Sequence, residues 1–540
     1  MQRLNFIVPA YVQAPEQVKE HMQQEAIIGI DIGTTSTKAV AFASDGALLY
    51  QFAVAYPLYS LSPGYAELSP EEVLEAVIST LRQVIGELRV AGYKLIGVSF
   101  SSAMHSLIVL DEDNKPLTNC ITWADTRSKA QAEKLKQHPA AHQLYLETGT
   151  PLHPMGVLPK LLWLQDEAPE LFRKAARFAG IKAYVWFRLF GELVVDYSVA
   201  SATGLFHSCS LSWHETALQI AGITAKQLPV PVTPTYCNYS LKPEYAAALQ
   251  LQEPVPFIIG ASDGCLANLG ANALADGHAA VTIGTSGAVR VAASQPAADP
   301  QQRVFSYILT PGRYVLGGAV NNGGVVLQWF RDTFYRAETE AALHDRQNIF
   351  ALMCEEAATA PAGADGLLFL PYLLGERAPL WDASARACFI GLQLSHTRAH
   401  VVRALLEGIT LNIYSVACAL EQVTGPIRQV YANGGFSRSG FWVQLLADVF
   451  NKEVHLTETY ESSAFGAAIL GLQALGKIEK LEDASRLVKI TRTYTPNPIN
   501  HQVYQQLYAL FSELYPKLKD TFSKLGGLSN EPTPGQTSKR

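Results

Sequence analysis

Ala26–Asp31 is apolar up to its final acid, Gly33-Thr34-Thr35-Ser36 interrupts it, and Lys38–Ala43 is apolar again. Two short apolar runs on either side of a Gly/Thr/Ser break predict a β-hairpin. Ala47–Tyr56 continues it as a third strand. From Pro70 to Val90 the spacing changes. Val73, Val77, Leu81 and Ile85 recur every fourth residue, which marks one face of a helix. Leu95–Phe100 returns to a strand. The pattern is α/β, with antiparallel strands at its start.

The second half repeats the opening. Ile283-Gly284-Thr285-Ser286 matches Ile32-Gly33-Thr34-Thr35, again between apolar runs. Two such hairpins half a chain apart predict two domains of one fold, although so short a match also arises by chance. Glu253-Pro254-Val255-Pro256 breaks the chain before the apolar run Phe257–Ala261. The expected division is therefore a flexible extension over 1–25, a first domain over 26–256, a second over 257–500, and a C-terminal helix with a disordered tail over 501–540.

Composition narrows the classes. The chain has 540 residues, 48% hydrophobic and 17% charged, with a net charge of −6, so it carries a large core and lacks the basic balance of a nucleic-acid binder. Its seven cysteines are scattered, odd in number and free of C-x-x-C spacing. That pattern predicts free thiols in a reducing, cytoplasmic setting and no structural zinc. No run approaches 18 consecutive apolar residues, so no membrane partner is expected. Residues 1–25, with Pro9 and Pro15, make a poor secretion signal, and Met22 offers a second start. The oligomeric state is left open, with a homodimer among the readings.

Three segments carry candidate chemistry. A Gly-Thr-Thr turn at Gly33–Thr35 presents amides and hydroxyls that suit phosphate oxygens, with Lys38 nearby and Asp31 at the strand end for a metal-bound water; it also reads as an ordinary polar turn. Asp263, in Gly260-Ala261-Ser262-Asp263-Gly264, stands where a carboxylate could take a hydroxyl proton, or where it would simply cap a helix. Gly434-Gly435, between a strand and a helix, lets backbone approach a flat ligand, or only makes a tight turn. No Walker G-x-x-x-x-G-K-(S/T) occurs.

Taken together, these segments resemble the FGGY family of carbohydrate kinases over roughly Ile27–Gly476. Asp31–Lys38 is similar to the family's first phosphate motif, Thr282–Ala288 to its second, and Gly434–Asp448 to its adenosine motif. Ala387–Leu392, His400-Val401 and Ala404–Glu407 follow its C-terminal signature. The N-terminal signature around Lys160–Glu167 matches only in part, with Val157 where Pro, Ser or Thr is usual.

The resemblance implies a two-domain actin-like (ribonuclease H-like) ATPase fold with duplicated mixed-sheet domains around a cleft. It implies ATP and Mg²⁺ as cofactors and a small sugar or sugar acid as partner. It assigns Asp263 as general base and Asp31 as the metal-linked acid. Thr34, Thr35, Ser36 and Lys38, with Gly284, Thr285 and Gly324, fall around the phosphates, and Gly434, Gly435 and Ser439 fall on the adenosine side. Met104, His105, Trp123, Asp125 and Arg127 would line the sugar pocket.

Ser102–Ile108, Thr148–Met155 and Tyr372–Asp382 resemble the family branch that phosphorylates D-gluconate to 6-phospho-D-gluconate more than the xylulose branch. A gluconate carboxylate needs a cation, and Arg127, Lys160 and His153 are the candidates, each with a structural alternative. The competing functions are xylulose or another polyol as acceptor, and an inactive nucleotide- or sugar-binding sensor.

Overall fold

The computed structural model describes residues 24–335, 338, 348–458 and 461–528. The expected extension up to residue 23 and the tail beyond residue 528 lie outside them.

The first sheet contains β1 (Glu25–Ile32), β2 (Ser36–Ala43), β3 (Leu48–Ala55), β4 (Lys94–Ser102), β5 (Cys237–Asn238) and β6 (Phe257–Ser262), in the order β5-β6-β4-β1-β2-β3. β1, β2 and β3 form an antiparallel meander, while β4 joins β1 and β6 joins β4 in parallel. β1 is buried along almost its whole length. Helices cover both faces of the sheet there, so the strand reads as a continuous apolar run rather than an alternation.

The second sheet repeats the plan. It holds β7 (His278–Ile283), β8 (Gly287–Ala293), β9 (Phe305–Thr310), β10 (Arg313–Val320), β11 (Gln429–Asn433), β12 (Glu453–Thr457) and β13 (Ile490–Tyr494), ordered β9-β10-β8-β7-β11-β12-β13. β7–β8–β10 is antiparallel and β11 and β12 continue in parallel. The repeated Ile-Gly-Thr motif thus opens each of two like-built mixed sheets, as the duplication requires.

The division before Phe257 needs correction. β6 pairs with β4 and closes the first sheet, because its six buried residues fill that sheet's interior. A Pro-rich break in the chain marked a loop within the first lobe, not the border between lobes.

The helix α1 (Pro70–Val90) follows the predicted spacing, with Val73, Val77, Leu81 and Ile85 all buried. It begins at Ser69, whose side chain accepts from the Glu72 amide, with Pro70 at the first position and Glu71 and Glu72 in the first turn. Two further helices connect the lobes. α2 (Asp263–Gly270) follows β6, and α7 is Ser462–Ala474. A Cβ on Gly270 would stand 2.1 Å from the Ser462 carbonyl oxygen, and one on Gly466 2.0 Å from that of Leu266. These two helices can touch backbone to backbone only through glycine.

The intervening helices include α3 (Gly324–Phe334), α4 (Ile349–Ala358), α5 (Arg398–Thr424) and α6 (Gly440–Phe450). α5 is long and apolar enough to cross a membrane, yet 78% of its apolar window is buried inside the protein. It also carries the buried Arg403–Glu407 ion pair, 2.8 Å apart, with Tyr504 donating to Glu407 at 2.9 Å. It is a core helix of the second lobe.

Candidate active site

Asp263 is the first residue of α2, with Ser262 as the cap, so its carboxylate is not used for capping in the usual way. Its Oδ1 accepts from the Gly264 amide at 2.7 Å. Burial raises its pKa and the Arg290 charge opposes the rise. The strand end behind it is braced. Lys182 donates to the Ala261 carbonyl at 2.9 Å and pairs with Asp196 at 2.7 Å, while Ser198 Oγ accepts from the Ser262 amide at 3.1 Å. The sequence reading did not include Lys182, Asp196 or Ser198; two of these lie in segments with no recognisable motif and are joined to Asp263 only through the fold.

Asp31 sits one strand away, opposite Lys38 on β2 and Ser101 on β4. Ser101 Oγ donates to Asp31 Oδ1 at 2.8 Å. Burial, and next the negative charge of Asp263, push the Asp31 carboxyl up to about 6. The two carboxyl groups are therefore electrostatic neighbours.

In the first turn, the Gly33 amide donates to the Ser36 carbonyl at 3.0 Å, and Thr34 and Thr35 sit at the tip. Lys38 does not point free toward this turn. Its Nζ lies 2.9 Å from both oxygens of Glu461, at the start of α7. In the second turn, Gly284, Thr285 and Ser286 are held against the start of α3, where the Gly324 amide donates to the Gly284 carbonyl at 2.7 Å and Val325 to that of Thr285 at 3.0 Å.

Beside the second turn lies a cavity of about 570 Å³, lined among others by Thr285, Gly324, Gly435, Ser439, Cys354 and Phe441. The candidate nucleotide residues of the second lobe thus converge on one space. Gly434 has φ +99°, and a Cβ there would be 2.6 Å from the Ile283 carbonyl oxygen, so the turn over β7 requires glycine. Ser439 caps α6 by accepting from the Trp442 amide at 3.3 Å.

On the acceptor side, Trp123 Nε1 donates to Thr34 Oγ1 at 2.8 Å, and His105 Nε2 lies 3.4 Å from Tyr307 OH. Met104 approaches Gly264, whose Cβ would be 3.2 Å from Met104 Cε. Thus Met104, His105 and Trp123 gather near Asp263 and the first turn.

The three expected carboxylate cations are a different matter. Arg127 is tied to Asp125 at 2.7 Å and to Glu67 at 2.5 Å, and stacks 3.6 Å from the Tyr65 ring centre. Asp125, fully buried, also accepts from the Ala66 amide at 2.8 Å. Lys160 is fully buried and donates to the carbonyls of His105, Thr122 and Met155 at 2.6, 2.7 and 2.8 Å. All three of its ammonium hydrogens are spent, and burial brings its pKa down to about 7. His153 is driven down to about 3 by burial and by Arg377, so its ring is neutral. None of the three is an available cation, because each lies where the fold has already satisfied or discharged it. Two other arginines, Arg290 and, within the Tyr372–Asp382 segment, Arg377, lie at this cleft instead.

A half-buried carboxyl at a helix start, two amide-rich turns from like-built lobes and a nucleotide-sized cavity define a two-lobed phosphotransferase. Residues 26–270 match the N-terminal domain of the FGGY family of carbohydrate kinases, and residues 279–475 match its C-terminal domain. The chain belongs to that family and is an ATP-dependent sugar kinase. It is 45% identical over 500 residues to the gluconokinase of Bacillus subtilis (strain 168), covering 92% of this chain and 97% of that protein. The xylulose kinase of the same strain is 32% identical over 497 residues, covering 92% and 97% respectively. Among solved structures, a gluconate kinase and a ligand-bound xylulose kinase, both from Lactobacillus acidophilus, align with TM-scores of 0.88 and 0.87. Each is 38% identical and covers 93% of this chain and 100% of its own.

Proposed function

We propose that this protein transfers the γ-phosphate of ATP to the C6 hydroxyl of D-gluconate, forming 6-phospho-D-gluconate and ADP. The geometric observation that supports the chemistry is Asp263, a half-buried carboxyl of raised pKa at the start of α2, an electrostatic neighbour of Asp31 and Arg290. For the acceptor, the 45% identity to a gluconokinase against 32% to a xylulose kinase favours the sugar acid.

In this reading Asp263 accepts the hydroxyl proton as the C6 oxygen bonds to the γ-phosphorus and the bond to the β-bridging oxygen breaks. The amides and hydroxyls of Thr34–Ser36 and Gly284–Thr285 stabilise charge on the phosphates. Gly324, Gly434, Gly435 and Ser439 take the nucleoside side, and Met104, His105 and Trp123 the acceptor. Lys38, held by Glu461, acts on the phosphates only through the field of that pair.

The acidic pair suits a hard divalent cation. Asp31 has a raised pKa partly because Asp263 repels it, and a cation would relieve both. Among the described residues no cluster of three His, Cys, Asp or Glu side chains exists. Mg²⁺ is accordingly assigned to Asp31 and the phosphates of ATP, its common mode of binding; when bound it neutralises phosphate charge. The proposal includes a reducing, cytoplasmic setting, for which all seven cysteines being free thiols speaks, and a small-molecule partner in place of nucleic acid or membrane. A homodimer is part of it as a reading for sedimentation analysis.

The test is ADP release from Mg-ATP with D-gluconate, D-xylulose, glycerol or no sugar. Release that strongly favours gluconate is expected. A preference for xylulose would replace the acceptor and keep the Asp263 chemistry. ATP binding without sugar-dependent release would replace the kinase with a sensor.

A further inference from the structure

Arg290 is on β8, three residues past Gly287, and its Nε and Nη1 are withdrawn from solvent without a hydrogen-bond partner among the described residues. A Cβ on Gly264 would stand 3.1 Å from Arg290 Nε, so the guanidinium lies against the first turn of α2 beside Asp263. Arg377 is 8% exposed. Its Nη2 donates to the Val320 carbonyl at 3.3 Å, its Nε has no partner, and its guanidinium carbon lies 4.9 Å from the Trp123 ring centre.

Glu376, the neighbour in sequence, opposes the Arg377 charge, but its carboxylate is engaged elsewhere. Its two oxygens accept from the amides of Asn321 and Arg377 and from the side chains of Asn322 and Asn412. Burial depresses the Arg377 pKa, the Glu376 charge opposes the fall and the Arg290 charge adds to it. Two like charges thus share a poorly solvated cleft, with Asp263 the opposing charge for Arg290 and Glu376 for Arg377. Buried guanidinium nitrogens without hydrogen-bond partners are costly unless a bound group completes them.

We propose that Arg290 and Arg377 together form the carboxylate subsite of the acceptor and select sugar acids over neutral polyols. The inference rests on the gluconate reading above and names the residues that would recognise the acid. A linear acid with its terminal hydroxyl at Asp263 extends its far end along Arg290 toward Arg377 and Trp123. Guanidinium groups match a carboxylate in shape and charge. Arg127, Lys160 and His153 cannot compete, since their donors or charges are already committed.

Calorimetric titration of the full-length protein separates the possibilities. The ligands are D-gluconate and D-glucitol, which share the six-carbon chain and differ by a carboxylate against a hydroxymethyl group. The wild type is expected to prefer gluconate by about 100-fold or more, as a site built around a buried polar pair rejects a ligand lacking its partner. Arg290→Gln and Arg377→Gln are each expected to cut that preference by about tenfold or more while glucitol affinity changes little. ADP affinity, read at the separate adenosine cavity, checks that each variant is folded, and Arg290→Lys and Arg377→Lys serve if a glutamine variant fails that check. They are expected to retain part of the preference. A wild type without preference for gluconate defeats the gluconate reading itself. A wild-type preference that survives in the folded variants, or equal weakening of both ligands, overturns the carboxylate subsite and leaves the gluconate reading standing.

Discussion

Trp123 Nε1 donates to Thr34 Oγ1 across 2.8 Å. The bond joins a wall of the acceptor pocket to the tip of the first phosphate turn, and the same indole carries the Arg377 guanidinium on its face. Trp123→Phe keeps the ring and removes the donor. It is expected to lower kcat/KM by about tenfold, the loss of one hydrogen bond in a poorly solvated cleft, and to raise sugar-independent ATP hydrolysis. Steady-state kinetics with and without gluconate checks both effects. Unchanged kinetics would mean that the bond does not couple the two subsites.

Asp263→Asn preserves shape and removes the proposed base. Turnover is expected to fall by about 10²–10⁴-fold, with gluconate and ADP affinities held close to wild type in calorimetry. Near-normal turnover would remove Asp263 from the proton transfer.

Asp31 sets a pH dependence. Its folded pKa of about 6 lies above the ordinary 3.8, so the native state holds this proton more tightly than the unfolded chain. The stabilisation is complete below about 3.8 and is lost as pH rises through 6. Without ligands, Asp31→Asn is therefore expected to raise the melting temperature at pH 7.5, by at most about 3 kcal/mol of stability, and to make little difference near pH 4. Mg-ATP should stabilise the wild type more than the variant. Calorimetric melts at the two pH values decide it, and a lower melting temperature for the variant at pH 7.5 would contradict the account.

Lys160→Met removes a donor from three buried carbonyls, of which that of Thr122 keeps the Asp125 amide at 3.3 Å. Unfolding free energy is expected to drop by about 3 kcal/mol or more, measured by urea titration. The preference for gluconate over glucitol should persist in the folded protein. Its selective loss would return Lys160 to the list of carboxylate ligands.

Local pattern carried much of the architecture. The α1 face, the two Ile-Gly-Thr hairpins and the strands at Phe257 and Gln429 were legible because period, turn chemistry and capping are properties of neighbouring residues. The placement of β6 was not. Pro254 and Pro256 break the backbone locally, whereas the sheet that Phe257–Ser262 completes is chosen by the parallel edge of β4, more than 150 residues earlier in the chain. α7 shows the same limit. Its partners are β1 and α2, and the close approach at Gly466 has no counterpart in adjacent sequence.

For the candidate site, the chain alone marked the segments whose local form depends on their own turn, namely Asp31, Thr34–Ser36, Gly284–Ser286, Asp263 and Gly434-Gly435, and their roles remain part of the proposal. It could not determine which cations are free. Arg127, Lys160 and His153 carry the right chemical type in promising segments, but charge availability depends on what packs around a group. Asp125 and Glu67 occupy the first, three carbonyls occupy the second, and burial discharges the third. Arg290, outside every motif, and Arg377, inside the Tyr372–Asp382 segment, keep guanidinium nitrogens without a hydrogen-bond partner among the described residues, although Asp263 and Glu376 oppose their charges.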